Sequence, residues 1–487
     1  MMKMSNQNIC KRLNAWAVPT VLSLVLLASC GKEPAATPDP DPTTGTPSPT
    51  VLRANRFVLD CTYEAYLWDN TLPMRSLINI NKYFKPDSLF DNKLLYKADD
   101  RWSFVTDQAA TLSNSLDGKE TTFGYSLALG EFSNAPGTYF AVVQFVYPDT
   151  PAALAGIRRG DIIMKINAGN ITEDNYMKLF NDPSVKLQMG ILNEGYLELS
   201  SKSYDLAAVE MTLNPVIASK VITRGGQKIG YLCYSDYTTV SKTELAGVLS
   251  SFKSAGVSDV VLDLRYNTGG DSDMAQFLSS TLVPEVNLNS VFLRQVWNDG
   301  LQDYFTQKGM TDYITIYFDK SVAVNLNLPR VYVLTGRNTA SASEATMVGL
   351  SPYMNVIKIG ETTHGKYTGA IFFEGGDEDE LIKNWGLFLV VYRFANADGI
   401  TDFKNGFTPD YAVDEVLLGD VKQLGDESEE LLAKALSLIT GTPDSKAVRT
   451  APQPAVNWIE NAPARIGDFP KMFSKSDEIL GYRRRID

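Results

Sequence analysis

The 487-residue chain has one histidine, His364, and four cysteines, Cys10, Cys30, Cys61 and Cys233. It holds no Cys-x-x-Cys pair and no Cys/His cluster, so the ligand spacing of a zinc site is missing. Cys61 and Cys233 fall in what read as different domains, and no disulfide is expected between them. Positive charge is short as well. Lys and Arg number 45 against 57 Asp and Glu, and the net charge is −12. Such a surface repels a phosphate backbone, which argues against general nucleic-acid binding. The one dense basic run, Arg483-Arg484-Arg485, reads as a solvated tail. No internal repeat period is visible. The longest apolar run, residues 15–28, is too short for a confident membrane-spanning helix and contains Pro19. What is plentiful is core material: 44% of residues are hydrophobic, and the length suggests about three domains.

Residues 1–30 read as an export signal. Lys3, Lys11 and Arg12 precede the apolar run, which ends in Leu27-Ala28-Ser29-Cys30. That tetrapeptide resembles the bacterial lipobox, which implies acylation of Cys30 and a lipid-anchored place in the cell envelope. Residues 31–50, rich in Pro, Thr and Asp, read as a stiff tether. Residues 51–118 read as a helical domain. Val58, Leu59, Tyr63, Tyr66 and Leu67 recur at helical spacing, and Pro73 is the expected stop.

Residues 119–210 read as a β-domain. Thr122-Phe123-Gly124-Tyr125 is followed by alternating Leu127 and Leu129, then by a run at 143–146. Ala155-Gly156-Ile157-Arg158-Arg159-Gly160-Asp161-Ile162-Ile163 marks a short helix, a turn and a strand. These segments resemble a PDZ domain. The resemblance implies that Phe123, Gly124 and Tyr125 form the loop that cradles a peptide carboxylate, and that a peptide adds as a strand to a sheet edge.

Residues 211–440 alternate apolar runs with helical stretches. Strands are expected at 229–234, 260–264, 331–334, 356–359 and 387–392, with helices at 241–255 and 274–282. This is an α/β pattern. Residues 441–487 turn rich in Pro and Ala and read as a wrapped or loose tail.

Within this segment Ser341 stands between the run at 331–335 and a helical stretch opening at Glu344. A hydroxyl there meets free backbone N–H groups and the positive end of a helix dipole, where an oxyanion is stabilised. Such a hydroxyl needs a base. Lys366 follows the run at 356–359, and two adjacent strand ends would bring it near Ser341. To act as a base near pH 7, a lysine must be shifted down by about 3 units from its reference of about 10.4. Burial against apolar walls achieves that.

Thr339-Ala340-Ser341-Ala342-Ser343-Glu344, then Gly360-Glu361 and Gly365-Lys366, resemble the C-terminal processing (tail-specific) serine peptidases, a Ser-Lys family. Asp263-Leu264-Arg265-Tyr266-Asn267-Thr268-Gly269-Gly270 matches a third motif of that family. The resemblance implies a multi-domain α/β protein: a crotonase-like (ClpP-like) peptidase core with a PDZ domain and an N-terminal helical domain. It also implies Ser341 as nucleophile, Lys366 as general base, and Gly270 with Ala342 as oxyanion donors. The expected substrate is a polypeptide with an unstructured C-terminal tail, with no metal or organic cofactor.

Two features compete with this reading. His364 lies in the same loop as Lys366 and is the rival base. Ala370 stands where the family often places a glutamine that orients the lysine. That departure favours the alternative, a catalytically inactive lipoprotein of the same fold that binds a peptide or other envelope ligand. Gly360 to Lys366 also mimics a P-loop, but Tyr367 replaces the small hydroxyl residue that would hold magnesium.

Overall fold

A computed structural model describes residues 45–133, 135–376, 379–442, 456–459 and 469–475. The expected signal segment, Cys30 and most of the tether lie outside the described residues. The chain forms two compact units. One comprises residues up to Ala109 together with Ile371–Val391; the other comprises Ala110–Ala370 and Tyr392–Ser474.

In the first unit the helix Pro49–Ala65 is capped by Ser48 and opens on a proline, which costs a first-turn position no hydrogen bond. It ends eight residues before Pro73. Tyr66 turns extended and its hydroxyl donates to Asp100 at 2.8 Å, while the Leu67 N–H donates to Val390 O at 3.1 Å. Tertiary partners therefore stop this helix, and the proline does not. Asp100 also accepts from the N–H groups of Trp102 and Ser103, which locks this stretch. A short strand, Phe104–Thr106, pairs antiparallel with residues 386–388.

In the second unit a β-domain follows. Tyr125–Phe132, Tyr139–Val146, Ile162–Ile166, Ser184–Asn193 and Tyr196–Ala207 form an antiparallel sheet. Its alternating inward residues, among them Phe123, Tyr125, Ala141, Ile163 and Leu187, make one core.

The unit also holds a six-stranded sheet in the order Val216–Arg224, Gln227–Tyr234, Asp259–Asp263, Arg330–Thr335, Asn355–Gly360, Tyr411–Ala412. The first pair is antiparallel and the others are parallel. The apolar runs read at 229–234, 260–264 and 331–334 become central buried strands of this sheet, as parallel sheets require. The run at 356–359 is largely half-buried, and 387–392 belongs to the strand Gly386–Ala395 of another sheet. The helix Glu430–Thr440 covers one face with Leu431, Leu432, Ala435 and Leu436. Lys242–Ala255 covers the other, with Phe252 against Gly230, where a Cβ would come within 2.7 Å of the ring. Both expected helices form, the second as Ser272–Leu282. The C-terminal stretch is not wholly loose: Val456–Trp458 and Lys471–Lys475 are strands.

One ion network ties the β-domain to this sheet. Arg265, buried at the end of Asp259–Asp263, bonds Asp263, Glu429 and Glu415. Arg159, from the β-domain turn, reaches Glu415 at 2.8 Å and also bonds Tyr266. The motif arginine thus has a structural task, and Asp263 is a strand-end partner.

Candidate active site

Ser341 sits at the junction of Arg330–Thr335 and the helix Ala342–Leu350, the serine helix below. Its backbone is strained, at φ 58° and ψ −106°, a conformation a non-glycine residue adopts only when its surroundings enforce it. Those surroundings are visible. The Ala340 N–H donates to Asn267 O, and the Ser343 hydroxyl donates to the same carbonyl, both at 3.1 Å. The Thr339 hydroxyl donates to Leu264 O at 2.8 Å. The Asp-Leu-Arg-Tyr-Asn motif therefore holds the serine turn directly. Ser341 is fully buried, and its Oγ has no hydrogen-bond partner among the described residues. Buried hydroxyls are normally paired, so an unpaired one at a strained turn is unusual.

Lys366 is also fully buried. What brings it to the serine turn is Glu344, in the first turn of the serine helix. Glu344 Oε2 accepts from the N–H of Ser341 at 2.8 Å and from the N–H of Lys366 at 2.9 Å. Oε1 accepts from the Thr363 hydroxyl at 2.6 Å and from the Gly365 N–H at 2.7 Å. A single carboxylate oxygen thus joins the backbones of the two candidate residues. Burial pushes the Glu344 carboxyl up to about 7, against the pull of these four donors. Sequence reading gave Glu344 only a helix-start role. A glutamate three residues after a serine at a helix start is the available signal, but its second set of partners depends on the fold.

The loop carrying Lys366 is pinned from the other side too. The Thr363 hydroxyl accepts from the Phe407 N–H at 2.7 Å, and the His364 N–H donates to Thr339 O at 2.9 Å. Gly365 has φ 90°, and a Cβ there would lie 2.3 Å from Lys404 O, so only glycine fits. Phe407, in the segment Asn405-Gly406-Phe407, thus helps to hold this loop. Lys366 Nζ donates to Pro470 O at 2.8 Å. Ala370 is buried and has no group to orient the amine.

Gly269–Asp271 forms a short strand that leads into Ser272–Leu282, whose N-cap is Asp271. We call it the glycine strand. The Asn267 side chain accepts from the Gly269 N–H at 2.8 Å and donates to Tyr234 O, fixing the turn. A Cβ on Gly269 would lie 3.0 Å from Ala342 N, so this strand passes close to the first amide of the serine helix. Ser341, Lys366, Ala342 and the glycine pair are therefore gathered in one region of one unit. Phe123, Gly124 and Tyr125 belong to the β-domain. Phe123 and Tyr125 are buried in its core, and the Gly124 N–H donates to Thr122 Oγ1 at 3.0 Å. In this structure that amide is engaged within the loop. Cys61 and Cys233 are both buried and form no disulfide among the described residues.

Comparison with known proteins agrees with this geometry. Residues 228–413 match Peptidase family S41, and residues 53–104 match the Peptidase S41 N-terminal domain. The chain is 25% identical over 296 residues to the carboxyl-terminal-processing protease of Synechocystis sp., covering 60% of this chain and 63% of that protein. It is 26% identical over 266 residues to the carboxy-terminal processing protease CtpA of Bacillus subtilis, covering 53% of this chain and 50% of the relative. The chain thus spans between half and two thirds of the length of these relatives. Among solved structures, a candidate S41 protease from Bacteroides fragilis superposes with a TM-score of 0.67 at 27% identity, covering 80% of this chain and 98% of that one. The serine, the lysine and the glycine pair all lie within residues 228–413, the stretch that matches Peptidase family S41.

Proposed function

We propose that this protein is a serine endopeptidase that cleaves polypeptides with exposed, unstructured C-terminal tails. Ser341 Oγ attacks the scissile carbonyl, and Lys366 takes the hydroxyl proton and returns it to the leaving amine. The N–H groups of Gly270 and Ala342 stabilise the oxyanion. The observation that carries this reading is the shared Glu344 oxygen, which holds the backbones of a strained, buried serine and a buried lysine together. Nucleophile and base must be fixed relative to each other for the proton transfer to be efficient. The relatives' names as carboxyl-terminal-processing proteases give the substrate class.

We read residues 119–210 as a PDZ domain that captures the substrate, and the core as crotonase-like. Cys30 is the proposed lipid anchor, which would place the enzyme on the cell envelope. A second reading, a binding protein with a silent site, is favoured by one observation: Ala370 offers the lysine nothing to orient it. Degradation of a loosely folded reporter with a free apolar C-terminus separates the two. The wild type should degrade it, Ser341→Ala and Lys366→Ala should not, and His364→Ala should. Loss of cutting in His364→Ala with activity retained in Lys366→Ala would overturn the assignment of the base. No cutting by any chain would favour the binder.

A further inference from the structure

The glycine strand has two neighbours. On one side is the turn after Gln227–Tyr234. The Tyr237 N–H donates to Gly269 O at 3.0 Å, and Tyr237 O accepts from the Asp271 N–H at 2.7 Å. On the other side lies the chain's own C-terminal strand, Lys471–Lys475, running parallel with Lys471, Met472 and Phe473 opposite Gly269, Gly270 and Asp271. The Lys471 N–H donates to Thr268 O at 2.8 Å. In a parallel ladder, a residue that donates to the one before its opposite number accepts from the one after it. The Lys471 carbonyl therefore faces the Gly270 N–H.

A Cβ on Gly269 would lie 2.0 Å from that same carbonyl oxygen and 3.0 Å from Ala342 N. The Lys471 carbonyl oxygen thus faces one proposed oxyanion donor, Gly270, and lies within about 5 Å of the other, the Ala342 N–H. The preceding carbonyl, Pro470 O, takes the hydrogen bond from Lys366 Nζ. The Lys471 side chain, 3% exposed, crosses the glycine strand to Asp236, where Nζ and Oδ2 are 2.8 Å apart. A second part of the same tail lies on the β-domain. Val456, Asn457 and Trp458 pair antiparallel with Phe132, Glu131 and Gly130, and the Ile459 N–H donates to Leu129 O at 2.9 Å. Strand addition to a sheet edge is how a PDZ domain takes a peptide. One tail therefore engages both proposed peptide-holding sites of the chain in the way a substrate would.

We infer that Asp236 is a specificity-determining residue. It selects polypeptides that place a lysine or arginine opposite Gly269, and the chain's own Lys471 fills that position until a substrate displaces it. A charge-assisted bond in a largely dry site discriminates strongly. A neutral side chain there would leave Asp236 without its cation, and an acidic one would face it with like charge. This inference rests on the peptidase reading above and names its substrate class.

Two measurements on the full-length chain test it. The first is hydrogen exchange at the Lys471 amide, which needs no turnover. It should be protected in the wild type and exchange at least about 10-fold faster in Lys471→Glu and in Asp236→Lys. Protection should return in the double variant, where the charges are swapped. An unprotected amide in the wild type, or single variants that change nothing, overturns the inference. The second is cleavage of an unstructured peptide with a single lysine, compared with the same peptide carrying glutamate there. Lys471→Glu should cut the lysine peptide about 10-fold faster than the wild type does, and should prefer it about 10-fold or more over the glutamate peptide. Asp236→Lys should reverse that preference. Equal rates on the two peptides, with activity that depends on Ser341, overturn the inference and leave the peptidase reading intact. Absence of any cleavage, Lys471→Glu included, overturns the peptidase reading, and the exchange result alone then decides whether Asp236 holds the tail.

Discussion

Two buried carboxylates, Glu344 and Glu429, have the same job of joining distant segments, and they are neutralised in opposite ways. Glu429 faces a guanidinium. Burial works against its ionisation, but Arg265 at 2.9 Å, together with the Leu432 N–H, holds it below its ordinary value. Glu344 faces three backbone N–H groups and a hydroxyl, and burial lifts it to about 7. A full counter-charge outweighs desolvation where neutral dipoles do not. The difference suits their places. The Arg265 network fixes the framework between β-domain and sheet, whereas Glu344 sets the spacing inside the site.

The largest effect should come from breaking the charged cluster. Arg265→Met leaves Asp263 and Glu429 buried without their cation and should cost about 3–5 kcal/mol. In thermal unfolding that is a fall of roughly 10 °C in Tm. Glu344→Gln should show the reverse balance. An amide NH2 would face two N–H donors, so the Lys366 loop shifts relative to Ser341, and kcat/KM on the reporter should fall about 100-fold. Its stability loss should be smaller, about 1–3 kcal/mol.

The pH dependence sharpens the contrast, because the signs are opposite. Glu344 is raised, so its contribution to stability is complete below its ordinary 4.5 and is lost as pH rises through about 7. Glu429 is lowered, so its contribution is present above 4.5 and is lost as pH falls through its depressed folded value. Tm measured from pH 4.5 to 8 should therefore decline more steeply for the wild type than for Glu344→Gln. Parallel curves would contradict the assignment. Thr363→Val removes one donor to Glu344 and the acceptor for the Phe407 N–H, and should cost about 1–2 kcal/mol by denaturant titration. The smallest effect belongs to Asp410→Asn. Its half-exposed bond to Lys358 Nζ should be worth under about 1 kcal/mol by the same titration.

Much of the framework was legible because it is local. The runs around 331–334 and 356–359 are apolar and β-rich, and they formed as neighbouring parallel strands. The place of Ser341 between a strand and a helix was legible too. What was not legible is pairing at a distance. Glu344 reads as a helix start, and its bonds to residues 363–366 exist only once the sheet is assembled. Gly269-Gly270 becomes a strand because Lys471–Lys475 lies beside it. Lys471-Met472-Phe473 is too short to announce a strand, and nothing around Asp236 marks it as its partner. The first helix ended at Ala65 for the same reason: its terminator is a bond from Leu67 to Val390, which the local sequence does not contain.

The most direct test of the Ser341 and Lys366 assignment is covalent labelling by a serine-directed phosphonate, read by intact mass and peptide mapping. It should be run on the wild type, Lys471→Glu, Lys366→Ala and His364→Ala. The account predicts a single adduct on Ser341 in the wild type, faster in Lys471→Glu, absent in Lys366→Ala and retained in His364→Ala. An adduct on Ser341 that forms equally well without Lys366, or no adduct in Lys471→Glu at any pH between about 6 and 10, would contradict it.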